Sequence, residues 1–492
     1  MDPTRRTASK GATVTTTVES HPRATLRPPP AQQVAADAAV RRRNRRRRSA
    51  VVDLLTILVW VSAAIAVALY LASPGAHDLS GTAGIVTSLG IVAGLVATDL
   101  VLIMLVLAAR VPLIDRVFGQ DRAIAVHRSL GKPVLYLILV HGLLITIGYG
   151  LADGSSPIGE TISLFTTVDD MPLAYLGLGL FITVVVTSLV AIRRKLPYEA
   201  WHAIHLLSYA AVAVALPHQL SVGSAFADGT WQRVYWVTLY VVVLAAVVVY
   251  RFALPILLSY RHRILVREVE TIAPGVVSIH LSGRNLDRLG VEGGQYGIWR
   301  FWTAKTWWHA HPVSFSAVPG TDSARITVRD LGAGSRRLGR IRPGARVSLE
   351  GPYGLFTARA RTAPYLAMVA SGIGITPVRS MLEDATLRPG EATVLLRGSD
   401  ADQQYLWAEV GALAHRSGSE LFAMVGPRPS GVDAWQSADD FRRGVTLGST
   451  FPHLMESDLY ICGPQVWADL VARDARRAGV PEHQIHQERF ES

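Results

Sequence analysis

The sequence predicts a membrane α-helical bundle of six spans, followed by a soluble antiparallel β-barrel and an α/β unit with a mostly parallel sheet. Three observations carry that expectation. Residues 51–260 are mostly apolar, whereas 261–492 have the mixed composition of a soluble protein. Lys and Arg gather on alternate connections between the apolar stretches. After Arg261 the long apolar runs give way to short β-prone ones punctuated by Gly and Pro.

Residues 1–50 are rich in Thr, Pro, Ala and Arg and have no apolar periodicity, so they read as a disordered basic tail. The arginines at 41–43 and 45–48 supply much of the formal net charge of +11 in 492 residues. Such a cluster suits a nucleic-acid-binding arm. Here a span opens directly after it at Val51, a cytoplasmic flank is the simpler role, and no nucleic acid is expected. The stretch 51–72 is long enough to cross a bilayer and lacks a cleavage site, which argues against a signal peptide.

Six spans follow at approximately 51–72, 83–109, 126–150, 172–192, 199–221 and 232–259, each near the roughly 20 residues a membrane helix needs. With the tail inside, the inner connections hold Arg110, Arg116, Arg122 and Arg128, then Arg193, Arg194 and Lys195. The outer connections, 73–82, 151–171 and 222–231, hold no Lys or Arg, and the second carries Asp153, Glu160, Asp169 and Asp170. This asymmetry predicts a multi-pass cell-membrane protein with both termini in the cytoplasm.

Four histidines lie within these spans. An ionisable side chain at that depth is costly and marks a functional candidate. His127 and His141 are 14 positions apart, which on an ideal helix places them within about 40° on one face and about 21 Å apart along the axis. His205 and His218 are 13 apart, a rise of about 20 Å. Matching offsets let His127 pair with His205 and His141 with His218, each pair bracketing one haem iron; six-coordinate haem suits electron transfer. The wheel fits the second pair less well, since thirteen residues leave about 140° between them. Pro217, directly before His218, is the residue able to kink or rewind that helix. His202 rivals His205, with a poorer-matching rise of about 24 Å to His218. Hydrogen-bonded glue between helices is the plainer account of any single one of these histidines.

In the soluble half, 264–359 alternates β-prone runs with turn residues. Apolar strands at 365–370, 392–397, 420–425 and 458–461 then alternate with helical stretches, as in βαβ units. The single cysteine, Cys462, excludes an intrachain disulfide and any cysteine-built zinc or iron–sulfur site.

Several short segments stand in a telling order. Gly294-Gln295-Tyr296 precedes 307–316, Trp-Trp-His-Ala-His-Pro-Val-Ser-Phe-Ser. Then come 329–338, Arg-Asp-Leu-Gly-Ala-Gly-Ser-Arg-Arg-Leu, and Glu350-Gly351-Pro352-Tyr353-Gly354. In this order they resemble the flavin-binding part of membrane ferric reductases and NADPH oxidases, within the broader ferredoxin–NADP reductase superfamily. The likeness covers residues 85–492 or so. It implies that His311 contacts FAD phosphate and Ser314 the flavin ring edge, with Pro312, Ser316, Arg329, Gly332 and Ser335 in the same site. Glycines there let backbone N–H groups approach a pyrophosphate. Val313 departs from the pattern, standing where the family usually has an aromatic packed on the flavin.

The turn 371–377, Ser-Gly-Ile-Gly-Ile-Thr-Pro, follows a strand and opens a helix, a place where phosphate can sit at the positive helix end. With Cys462-Gly463-Pro464, it resembles the superfamily's nicotinamide dinucleotide site, which implies nucleotide-binding roles for Gly372, Gly374, Thr376, Pro377, Gly463 and Pro464. Cys462 would lie near the nicotinamide. Arg397 and Ser399 follow the second strand, where ribose specificity is usually set, and an Arg there suits a 2′-phosphate, with Arg428 assisting. That favours NADPH, with NADH the alternative. Gln487-Glu488-Arg489-Phe490 resembles the family ending, in which an aromatic, here Phe490, covers the flavin and yields to nicotinamide.

The resulting expectation is a tail (1–50), a ferric reductase-like membrane domain (51–260), an FAD-binding β-barrel (261–364) and an NAD(P)-binding α/β domain (365–492). Electrons would pass from cytoplasmic NADPH through FAD and two haem b groups to an acceptor outside: a ferric chelate, oxygen or a quinone. Two other classes compete. A non-catalytic haem-binding redox sensor would leave its haem spectrum unchanged on adding NADPH. A flavin reductase merely anchored in the bilayer would deliver no electrons across it.

Overall fold

The structure, a computed structural model, describes residues 31–73, 79–222 and 229–489. Its first helices are α1 (Ala31–Leu71), α2 (Thr82–Ala108), α3 (Pro112–Phe118), α4 (Gln120–Asp153) and α5 (Pro157–Thr167). Then follow α6 (Met171–Ser188), α7 (Val190–Arg193), α8 (Tyr198–Ser221), α9 (Trp231–Ala246) and α10 (Leu254–His262). A π-helical stretch, Val247–Ala253, joins the last two. Among the described residues six helical stretches are long and apolar enough to cross a membrane: 49–71, 82–108, 120–153, 171–188, 199–221 and 231–262. They are the six expected spans, because a lipid-embedded backbone must satisfy its own hydrogen bonds.

The differences lie at their ends. The third span begins at Gln120 rather than near 126, and the last runs on to His262, since polar flanks outside the hydrocarbon continue a helix already nucleated. The tail is corrected for the same reason. Residues 31–48 were expected to be disordered, yet they are the first turns of α1; Ala and Arg are strong helix formers propagating from the span. Residues 1–30 lie outside the described part.

Small residues decide how the spans pair. A Cβ on Gly90 would sit 3.1 Å from Ile145 N and Leu144 Cβ, so α2 and α4 touch at the backbone. Gly177 plays the same part between α6 and α8, against Ala211 and Ala215. By contrast α4 and α8 hardly approach each other at the backbone level, leaving a slot between the two tight pairs.

The soluble half opens with β1 (Leu265–Ala273), β2 (Val276–Ser282), β3 (Tyr296–Phe301), β4 (His311–Ala317), β5 (Ser323–Arg329) and β6 (Val347–Tyr353), with α11 (Ala333–Leu338) between the last two. All pairings are antiparallel, in the order β1-β2-β5-β4-β3-β6. The expected barrel is not a closed one. Its edges β1 and β6 meet only through the bridge Leu265–Arg346 and a few neighbouring backbone bonds at the start of β1. Trp299, Phe301, Phe315, Ile279 and Ile326 fill the core.

The second sheet holds β7 (Tyr365–Ser371), β8 (Ala392–Gly398), β9 (Glu420–Val425), β10 (Ser457–Gly463) and β11 (Ile485–Arg489) in the order β11-β10-β7-β8-β9, parallel throughout. Helices α12 (Ile375–Asp384) and α13 (Trp407–Ser417) pack with it. Charged groups lock the two sheets together: Arg325 of β5 grips Glu409 of α13 with both terminal nitrogens (2.9 and 2.7 Å), and Arg379 of α12 donates to the same carboxylate (2.9 Å).

At the membrane end, Glu350 of β6 accepts from Arg110, just after α2, and from Arg251 in the π-helical stretch (2.7 Å). Nearby, burial raises the Asp115 carboxyl to about 6, partly offset by the Gly354 and Gln120 N–H groups that donate to it.

Asp458 anchors the start of β10. Fully buried, it accepts from the Thr362 N–H (2.6 Å), the Ala363 N–H and His486 Nε2 (2.7 Å). Replacing it leaves those donors unpaired, so Asp458→Ala should cost about 3 kcal/mol of stability. Asp439→Ala, which breaks only a surface pair with Arg442, should cost too little to resolve. Urea unfolding followed by tryptophan fluorescence measures both.

Candidate functional site

The slot between α4 and α8 receives the four histidines. The His127 and His205 rings stand 6.1 Å apart between centroids, at 67° between planes. Each is held from behind. His127 Nδ1 lies 3.0 Å from Met104 O of α2, an acceptor only, so Nδ1 carries the proton and Nε2 keeps its lone pair. His205 Nδ1 lies 3.3 Å from Ser188 Oγ, which donates its own proton to Val184 O (2.7 Å) and accepts from Trp201 Nε1 (3.3 Å). That arrangement again frees Nε2 on His205. Trp201 stacks on the His205 ring at 5.0 Å.

This geometry suits a bridging metal. An ion held by two imidazole nitrogens at about 2 Å each sets the ring centroids roughly 6 Å apart. Ligating histidines commonly donate their other N–H to a carbonyl or similar group. Among the described residues no group of three or more His, Cys, Asp or Glu could hold a metal ion. Two imidazoles leave a coordination sphere incomplete, and a macrocycle supplying four more nitrogens completes it; the residues fit haem.

About four helical turns further along α4, His141 Nδ1 lies 2.9 Å from Gly90 O. The two carbonyls of α2 thus repeat the 14-residue offset of the two histidines they meet. Gly94 is required beside them, for a Cβ there would come 2.6 Å from His141 Nδ1. His218 lies within electrostatic range of His141 and of Asp170, and its ring has the backbone of Ala215, one turn earlier on α8, as a hydrogen-bonding neighbour. Pro217, the residue able to kink or rewind this helix, lies inside α8, which is helical from Tyr198 to Ser221. His202, the rival of His205, has Trp201 and the cations Arg251, Arg300 and Arg110 as neighbours.

On β4, two buried polar atoms lack partners, His311 Nε2 and Ser314 Oγ. Burial, aided by His309 and Arg300, pushes His311 down to about 4, so the imidazole is neutral near pH 7. The turn that opens α11 lies against it, with the position of a Cβ on Gly334 3.6 Å from His311 Cε1. Within that turn Ser335 Oγ accepts from Leu331 N (2.8 Å) and Gly332 N donates to Asp330 (3.0 Å). Ser316 Oγ accepts from Thr327 (2.9 Å), and Pro312 is exposed. Val313 takes part in the sheet, its carbonyl accepting from Trp299 Nε1 (2.9 Å). The Tyr296 and Tyr353 rings, 6.0 Å apart, supply aromatic surface nearby. These orphaned donors and acceptors beside a glycine-rich turn fit a flavin diphosphate.

The two nucleotide turns meet. A Cβ on Gly374 would strike the Cys462 carbonyl, and one on Gly463 would crowd Trp467 and Ser371. Gly372 has φ +58 and faces Tyr405 and Arg329, so the latter joins the two soluble units. Thr376 Oγ1 donates to Ile373 O (3.0 Å), and Pro377 is buried in the first turn of α12. Gly463 is followed by Pro464, which caps the helix Gln465–Arg477. Cys462 is fully buried, and burial together with the Glu488 carboxyl pushes its thiol well up; it is a thiol, not a thiolate. Glu488, its register partner on β11, is itself raised by burial and by Asp121 and Asp115.

Two expected groups stand differently. Arg397 is buried and donates to the carbonyls of Gly398 and Gly426 (2.5 Å for the second). Its donors are turned to the backbone rather than offered to a 2′-phosphate, while Ser399 and Arg428 are exposed. Phe490 lies outside the described residues. Sequence reasoning passed over Ser188, Trp201, Glu350 and Glu488. Of these Glu350 and Glu488 sat inside quoted motifs, but only as flanking residues with no role assigned.

Comparison with known proteins agrees with this architecture. Residues 93–216 match the family model of the ferric reductase like transmembrane component. The chain is 35% identical over 178 residues to ferredoxin–NADP reductase B of Sorangium cellulosum, covering 34% of this chain and 70% of that protein. It is 30% identical over 165 residues to the ferredoxin–NAD(+) reductase component of the alkene monooxygenase system of Xanthobacter autotrophicus, covering 32% and 49%. Among solved structures, the flavohem-like FAD/NAD binding domain of nitric oxide dioxygenase from Vibrio cholerae aligns with 46% of this chain and 98% of its own, at 22% identity and a TM-score of 0.38. The chain therefore belongs to the ferredoxin–NADP reductase family, as an NAD(P)H-dependent flavoprotein oxidoreductase whose reductase module follows a ferric reductase-like transmembrane domain.

Proposed function

We propose that this protein carries electrons from cytoplasmic NADPH across the membrane to an acceptor on the other side, a ferric chelate or oxygen. The apposition of His127 and His205, both with Nδ1 engaged from behind, carries the proposal. When bound, FAD takes up a hydride from NADPH and hands electrons singly to haem b, which is why both cofactors belong on one chain.

The protein's own groups do the positioning. Gly372, Gly374 and Thr376, with Gly463 and Pro464, shape the nicotinamide dinucleotide site, and the Cys462 carbonyl lies against Gly374 while its neutral thiol is buried in the core beneath. Exposed Ser399 and Arg428 are left to meet a 2′-phosphate, favouring NADPH over NADH. His311, Ser314 and the 332–335 turn hold FAD, and Arg329 ties that site to the nucleotide turn. His127 with His205 and His141 with His218 hold two haem b groups at levels about 20 Å apart. The positive-inside charge pattern orients the reductase module toward the cytoplasm.

Two outcomes test the reading. NADPH added to the purified protein should bleach FAD and then produce paired Soret and α-band changes. In His205→Leu, flavin reduction should persist while NADPH-driven haem reduction falls by at least about 100-fold, the loss expected when a buried ligand goes. Unchanged haem spectra beside a reduced flavin would contradict it.

The acceptor's charge offers a second measurement. The outer connections lack Lys and Arg and carry Asp153, Glu160, Asp169 and Asp170. A cationic or neutral acceptor should therefore be reduced roughly 10-fold faster than ferricyanide at low ionic strength, with the gap closing as salt is added. A preference for the anion would remove the electrostatic part of the account.

A further inference from the structure

The loop joining β3 to β4 exposes three indoles within seven residues: Trp302, Trp307 and Trp308 are 54%, 52% and 41% exposed. The loop is well held. Thr306 Oγ1 donates to Phe301 O (2.8 Å), Trp307 N to Thr303 O (3.1 Å), His309 N to Thr306 O (3.0 Å), and Arg300 Nη1 to Trp307 O (3.0 Å). Large apolar rings are thus presented on a turn that loses little entropy when they are covered.

Its position relative to the bilayer follows from one contact. His309 Nδ1 lies 2.9 Å from Glu199 Oε1, and Glu199 is the first residue of the span 199–221. The loop therefore stands level with the end of a span, where hydrocarbon gives way to headgroups. Exposed cations surround it. Lys305 lies in the loop, Arg194 and Lys195 directly precede the span, and Arg337 reaches Lys305 O (3.4 Å) and His309 Nε2 (3.1 Å).

We propose that residues 302–308 form an interfacial anchor that inserts among the phospholipid headgroups of the leaflet next to the reductase module and prefers anionic lipid. Tryptophan favours that zone because its ring is apolar while its N–H finds water or headgroup oxygen. Lys305 and its cationic neighbours supply the attraction to negative headgroups. The occupant is lipid because the loop is continuous with a membrane span through Glu199. Since β4 begins at His311, two residues beyond His309, the anchor holds that strand at a set height above the bilayer. The proposal depends on the membrane span alone, not on haem or on the acceptor.

Cys462 is fully buried and slow to label, so Ala304→Cys places a nitroxide selectively at the exposed tip of the loop. Ser430→Cys, exposed on the nucleotide-binding unit, is the control. The full chain is reconstituted in phosphatidylcholine vesicles with and without phosphatidylserine, and in lipid-free amphipol, and collision with a water-soluble nickel chelate and with oxygen is read by EPR. The label at 304 should be several-fold less accessible to nickel and more accessible to oxygen than the label at 430. The contrast should widen with phosphatidylserine, disappear in amphipol, and shrink when Trp307→Ser and Trp308→Ser are added. Equal nickel access at 304 and 430 in both vesicles overturns the anchor. Protection that persists in amphipol overturns it too, since protein or flavin would then be the cover. Protection indifferent to phosphatidylserine overturns the anionic partner.

Discussion

One carboxylate ties the soluble half to two separate stretches of the membrane half. Glu350 stands between Arg110 and Arg251, all three mostly removed from solvent. Two cations at a membrane boundary with no counter-charge would be costly to desolvate. Glu350 makes the junction affordable, and it does so directly before Gly351-Pro352-Tyr353, the turn that resembles the flavin-proximal part of the family. Both arginines occupy unusual backbone: Arg110 has φ +62, and Arg251 lies in the π-helical stretch. Non-regular backbone of this kind is found where a side chain must be aimed. Arg110 also lies over the Tyr353 ring at 5.7 Å. This contact fixes β6 against the end of α2 and the last span.

The remaining rigidity follows from it. The network of Arg325, Glu409 and Arg379 makes the two sheets one body, so anything that seats β6 on the membrane helices seats the nucleotide turns as well. On the membrane side, α2 is the template. It carries the Gly90 and Met104 carbonyls that orient His141 and His127, and Gly94, whose missing side chain leaves room for the His141 ring. Two rigid parts joined by charged contacts, Glu350 with Arg110 and Arg251 and Glu199 with His309, suit electron transfer, in which cofactors must stay at fixed separations while little else moves.

Much of this was legible in the sequence because its causes are local or periodic. Spans are long apolar runs, and the pairing of His127 with His205 follows from helical spacing. What escaped depends on contacts between distant segments. Nothing near Ser188 marks it as the acceptor for His205, because that relation requires α6 to pack on α8. Arg397 was expected to face a 2′-phosphate, since sequence cannot tell whether a guanidinium turns outward or back to the carbonyls of Gly398 and Gly426. The helical start of α1 was hidden by composition, because an arginine run looks disordered until a span beside it nucleates the helix. For His218 the ideal wheel gives no match: α8 remains helical through Pro217, and the neighbours of the ring are the Ala215 backbone on the same helix and His141.

Sidedness is the central claim. The most direct measurement seals NADPH inside vesicles holding the protein with its reductase module inward, and supplies a membrane-impermeant ferric chelate outside, with superoxide detection in parallel. The account predicts external reduction that requires internal NADPH and is lost in His141→Leu, while flavin reduction inside persists. External reduction undiminished in that variant, or a reduced flavin inside with no external reduction in the unaltered protein, would contradict it.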